Sequence, residues 1–60
     1  MSEEADRLMM EIRSLQQEIT KLQQDVIGGR VKPDEYNRLY AEKLAKIHER
    51  EAALKSLMGM

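Results

Sequence analysis

Cysteine, phenylalanine and tryptophan are all absent from this 60-residue chain, and it holds a single histidine, a single proline and two tyrosines. Without cysteine there is no disulfide framework and no thiolate metal site. One histidine rules out a multi-histidine centre within one chain and leaves no set of groups for nucleophilic catalysis. The aromatic content of 3% offers almost nothing on which nucleobases could stack. A net charge of −1 predicts no strong general attraction to nucleic acid or to an anionic membrane. No apolar run is long enough to span a bilayer and no signal peptide is visible, so a cytoplasmic protein is the expectation. No cofactor and no enzymatic activity are expected.

Small size adds a further constraint. A chain of this length buries only about 60% of the surface its unfolded form exposes, so a lone core is marginal. Disulfides, a metal or a partner chain usually supply the missing stability. With the first two excluded, association with another chain remains.

What the sequence does contain is periodicity. Ala5, Leu8, Ile12, Leu15, Ile19, Leu22 and Val26 follow one another at alternating spacings of three and four. This is a heptad seam, with Ala5, Ile12, Ile19 and Val26 at position a and Leu8, Leu15 and Leu22 at position d. Ser2 is placed to cap the helix, and Glu3, Glu4 and Asp6 set negative charge at the positive end of its dipole. Gly28-Gly29 then interrupts the pattern, with Gly28 expected as the left-handed residue that ends the helix. Pro33 suits the first turn of a second helix, where its missing N–H has no partner to lose, although Lys32 before it is a poor cap. The predicted elements are a helix over about 3–27, a turn at 28–32 and a helix over about 33–58, stopped by Gly59.

The second helix carries a less regular seam of Asn37, Tyr40, Leu44, Ile47, Glu51, Leu54 and Met58, widened on one side by Tyr36, Leu39 and Leu57. The charges beside the two seams select how they pair. The g positions of the first helix are all acidic (Glu4, Glu11, Glu18, Asp25), while those of the second include Lys43 and Arg50. A short turn between antiparallel helices brings Glu11 near Arg50 and Glu18 near Lys43. The same register sets Ile12 on Ile47, Leu15 on Leu44 and Ile19 on Tyr40. The expected fold is therefore all-α, an antiparallel two-helix hairpin of coiled-coil type that dimerises into a four-helix bundle. Isoleucine at a with leucine at d also suits a parallel dimer, in which the first helix zips to its own copy in a second chain. Either way, a homodimer is the expected state.

The centre of the chain, from Leu22 to Leu44, resembles the short helical hairpins of the SHOCT type. Gly29, Val31, Asp34, Glu35, Tyr36, Lys43 and Leu44 match that pattern in order, over about a third of the chain. It departs from the pattern at Lys32, where Ser or Thr is usual, and in the length of both helices. The resemblance implies an oligomerisation module, usually appended to a larger protein, and it implies no catalytic residues.

Several smaller groupings admit a functional reading beside a plain one. His48 is either a pH-sensitive or shared metal site or an ordinary polar flank of the seam; Ala45 stands where a Glu-x-x-His metal motif needs Glu. Glu51 and Asn37 occupy core positions, either as buried polar groups that fix register or as frayed ends reaching water. Gly28, Gly29, Arg30 and Lys32 lead into a helix N-terminus that either holds a phosphate or simply turns the chain. Lys32, Lys43, Lys46 and Arg50 lie on one side of the second helix, either as a nucleic-acid-binding stripe or as partners for the acidic residues opposite. Met9, Met10, Met58 and Met60 gather where the termini meet and, with Leu39 and Leu57, are candidate contacts for another protein. The leading functional expectation is a structural or regulatory protein–protein interaction module. The alternative is a nucleic-acid-binding bundle.

Overall fold

The computed structural model describes residues 2–59; Met60, grouped above with the other methionines, lies outside that range. Two helices, α1 over Glu3–Ile27 and α2 over Pro33–Met58, pack against each other in a rod with extents of 44 × 15 × 10 Å. Among the described residues there is no strand.

The caps explain where each helix begins and ends. Ser2 is extended, and its hydroxyl accepts a hydrogen bond from the Ala5 N–H at 2.9 Å, satisfying one of the orphan donors of the first turn. At the far end the chain reverses through a Schellman motif. The Arg30 N–H donates to the Asp25 carbonyl at 2.8 Å and the Gly29 N–H to that of Val26 at 3.2 Å. Here the structure corrects the sequence reading, because the left-handed residue is Gly29, at φ 77°, while Gly28 sits at φ −81°. The reason is one of register. Helical bonding persists through Ile27, so Gly28 is the half-helical cap, and the residue after it must take positive φ for its N–H to turn back.

α1 has no basic residue in its last turn, and Arg30 supplies the missing cation from outside the helix. Its Nε lies 2.9 Å from Asp25 Oδ1, and Nη2 donates to the Gln24 carbonyl at 3.1 Å. One side chain thereby caps an orphan carbonyl and complements the helix dipole. Pro33 opens α2 with Lys32 as an extended N-cap that makes no side-chain bond, and Gly59 closes it through a 2.6 Å bond to the Lys55 carbonyl.

The core is a single line of side chains between the helices. Leu8, Leu15 and Leu22, the d positions of α1, are buried, together with Ala5 and Ile47. Ile12, Ile19, Val26, Tyr36, Leu39, Tyr40, Leu44 and Leu54 are half-buried. Asn37 and Glu51 are exposed, so within the hairpin these two polar residues reach water. Tyr36 and Tyr40 stack with ring centroids 5.7 Å apart.

Candidate functional site

The two long sides of the hairpin differ. On one, Lys43 Nζ reaches Glu18 Oε1 at 2.8 Å, and Arg50 Nε reaches Glu11 Oε1 at 3.1 Å. The steps between the two pairs are equal and opposite along the helices, which defines an antiparallel register. Arg7 extends the acidic edge by binding both Glu4 and Glu11. At the turn end of this side, Leu22, Val31 and Leu39 line a shallow depression together with Glu18, Lys21, Asp25 and Lys43. Two interhelical ion pairs bridge this side.

The shifts in proton affinity follow this edge. The Arg7 guanidinium lowers the Glu11 carboxyl below the ordinary range, with Arg50 adding to it and desolvation opposing. The Lys43 ammonium lowers Glu18, and Arg30, aided by Lys21, lowers Asp25. Arg7 is raised by its bonds to Glu4 and Glu11. Each is an ordinary consequence of an opposite charge within hydrogen-bond reach.

The opposite side is lined by position a of both helices. Because position d points straight at the partner helix and g is taken up by the ion pairs, position a falls on the far flank. Ile12, Ile19 and Val26 of α1 and Leu44 of α2 are accordingly only half-covered. The row beyond them on α1 is Met9, Gln16 and Gln23, and on α2 it is Asp34, Ala41, His48 and Lys55, all exposed. The α1 half of this side is thus a row of half-covered branched aliphatic residues, and the α2 half carries Leu44 between the exposed Asn37 and Glu51.

The sequence pattern alone does not reveal this asymmetry, because a and d residues look alike in a heptad. The signal that finds it is the contrast between flanking rows on α1. Position g reads Glu, Glu, Glu, Asp, whereas position e reads Met, Gln, Gln. The rotation has a further consequence. A parallel zipper between two copies of α1 needs leucines at d, and Leu8, Leu15 and Leu22 are already buried against α2.

The remaining candidates are placed as follows. Met9 and Met58, with Ser2, Ala5 and Leu57, line a depression at the termini end of the rod; Met58 is 72% exposed. Of the four cations considered for nucleic acid, Lys43 and Arg50 are engaged with Glu18, Glu11 and Glu49. Lys32 and Lys46 are exposed and make no ion pair among the described residues. Arg30 is folded onto Asp25 and the end of α1, so it does not turn toward the N-terminus of α2 to help hold a phosphate. His48 is exposed, and no group of three potential metal ligands comes together among the described residues. No helix is long and apolar enough to cross a membrane.

The architecture defines a helical hairpin with one side bridged by ion pairs and one side without them among the described residues. No family profile matches the chain, and neither the curated proteins nor the solved structures searched hold a match to it.

Proposed function

We propose that this chain is a non-enzymatic protein–protein interaction and oligomerisation module. It acts by pairing its open side with the same side of a second copy, giving a homodimeric four-helix bundle. One observation carries the reading: Ile12, Ile19, Val26 and Leu44 are left half-exposed on the side that lacks the interhelical ion pairs. A two-helix hairpin has only one line of core residues, and its stability ledger comes out near zero without a second layer. Burying Ile12, Ile19, Val26 and Leu44 supplies that layer. The resemblance to SHOCT-type hairpins points the same way, toward assembly. A nucleic-acid role has less support, since two of its four cations are held in ion pairs.

Mass action supplies the test. A dimer that folds as it assembles gains stability with concentration, so its thermal midpoint rises over a hundredfold range of protein. A midpoint independent of concentration would remove the dimer and, with it, the proposed module.

A further inference from the structure

We infer that the second copy docks antiparallel to the first, about a two-fold axis that crosses the open side level with Leu44. This rests on the oligomerisation reading above and specifies its geometry. The spacing of the polar residues on the open side points to it.

On α2, Asn37 and Glu51 are both exposed on position a, and each lies two helical turns from Leu44, on either side of it. An antiparallel partner centred on Leu44 sets Leu44 against its own copy and each Asn37 amide against the other chain's Glu51 carboxylate. The next row outward matches too. Asp34 and Lys55, at opposite ends of α2, come opposite each other across the same axis. Within one chain they are about 30 Å apart and cannot meet.

α1 gives the same centre independently. Ile12 and Ile19 face each other when the axis lies midway between them, and Val26 then meets Ala5. The neutral Gln16 crosses its own copy, so no like charges approach at the axis. The ion pairs Glu18–Lys43 and Glu11–Arg50 set the register of the hairpin. In that register the midpoint of Ile12 and Ile19 falls within about 3 Å of rise of the level of Leu44. One axis therefore serves both helices.

The competing arrangement has both hairpins pointing the same way, with α1 lying against the partner's α2. It places Glu51 at the level of Ala5 and Ile12, and Asn37 at the level of Ile19 and Val26. There Glu51 is set among aliphatic side chains without the amide partner that the antiparallel dimer gives it, and burying a carboxylate without its hydrogen bonds is costly. The parallel zipper of α1 is blocked by leucines already buried in the hairpin. The Asn37–Glu51 layer thus acts as the orientation lock, as single polar layers do in other helical bundles.

Distance between spin labels reads the orientation. The chain has no cysteine, so Ser56→Cys gives one label per chain at an exposed position. Ser56 lies more than three turns beyond Leu44, which separates the two labels by about 36 Å along the bundle in the antiparallel dimer. With both hairpins pointing the same way the labels are separated only by the bundle width, about 20 Å. Pulsed dipolar spectroscopy is expected to show a single population at the longer distance. A single population at the shorter distance would overturn the antiparallel dimer while leaving the module reading intact. Loss of all intermolecular coupling at high concentration would overturn both. In the labelled Asn37→Leu/Glu51→Leu variant the lock is gone, and a second population at the shorter distance is expected beside the first. An unchanged single distance in that variant would show that the polar layer does not select the orientation.

Discussion

Ile19→Ala separates the two layers of the core from each other. Within the hairpin Ile19 is half-buried, and in the proposed dimer it would be covered by the other copy's Ile12. The substitution removes three carbons, worth about 0.8 kcal/mol each when fully buried, or about 2.4 kcal/mol per chain before any cavity term. Each dimer carries the change twice, so the unfolding free energy of the dimer falls by about 5 kcal/mol. Ile27→Ala is the control. It removes the same atoms from the same helix at a position that is 85% exposed, and it should stay within about 0.5 kcal/mol of the parent. Leu15→Ala is the second reference. This leucine is buried by the hairpin itself, and its loss should cost about 2–5 kcal/mol per chain. Urea unfolding followed by circular dichroism at several protein concentrations yields all three values, fitted as a dimer passing to two unfolded chains. If Ile19→Ala behaves like Ile27→Ala, the open side is not covered and the reasoning fails.

The remaining predictions concern the ends and edges of the hairpin. Ser2→Ala removes the N-terminal side-chain cap of α1 and should cost about 1 kcal/mol in the same unfolding experiment, with Ser2→Asp restoring most of it. Gly29→Ala forces a side chain into the left-handed region and should cost about 1–2 kcal/mol, whereas no such backbone penalty applies at Gly28. Acid should weaken the fold: Glu11, Glu18 and Asp25 have folded-state affinities for protons below their unfolded ones. Their contribution is complete above about pH 4.5, the ordinary value for Glu, and is lost as pH falls through the lowered folded values. Urea titrations between pH 7 and pH 3 check this, and equal stability at both limits would show that the ion-paired edge contributes nothing. Met10→Ala alters an exposed side chain outside the proposed dimer face, so thermal midpoint and oligomeric mass should both stay at the parent values.

The hairpin itself was legible because α1 repeats its apolar residues without a fault and the turn is marked by two glycines and a proline. Those signals are local, and local signals survive in a fold this small. The rotation of the helices about their axes was less accessible. A heptad pattern treats Ile12 and Leu15 alike, yet one is half-buried and the other buried. What decides between them is which flank pairs with the other helix, a property of two helices together. The side chain of Arg30 was missed for a similar reason. Its role depends on a Schellman turn swinging it back over Asp25, and the residue spacing alone reads equally well as a basic loop. Gly28 and Gly29 exchange roles with a shift of one residue in the end of α1, a difference that propensity does not resolve. Glu51 and Asn37, at core positions of an imperfect seam, are exposed in the single hairpin, and only their equal distances from Leu44 suggest a partner for each.

The central claim is that the chain assembles through its open side, and molar mass in solution tests it most directly. Light scattering on a sizing column, from micromolar to millimolar protein, should give a species of twice the 7.0 kDa chain mass that persists on dilution. A folded, helical species at the mass of one chain throughout that range would contradict the account.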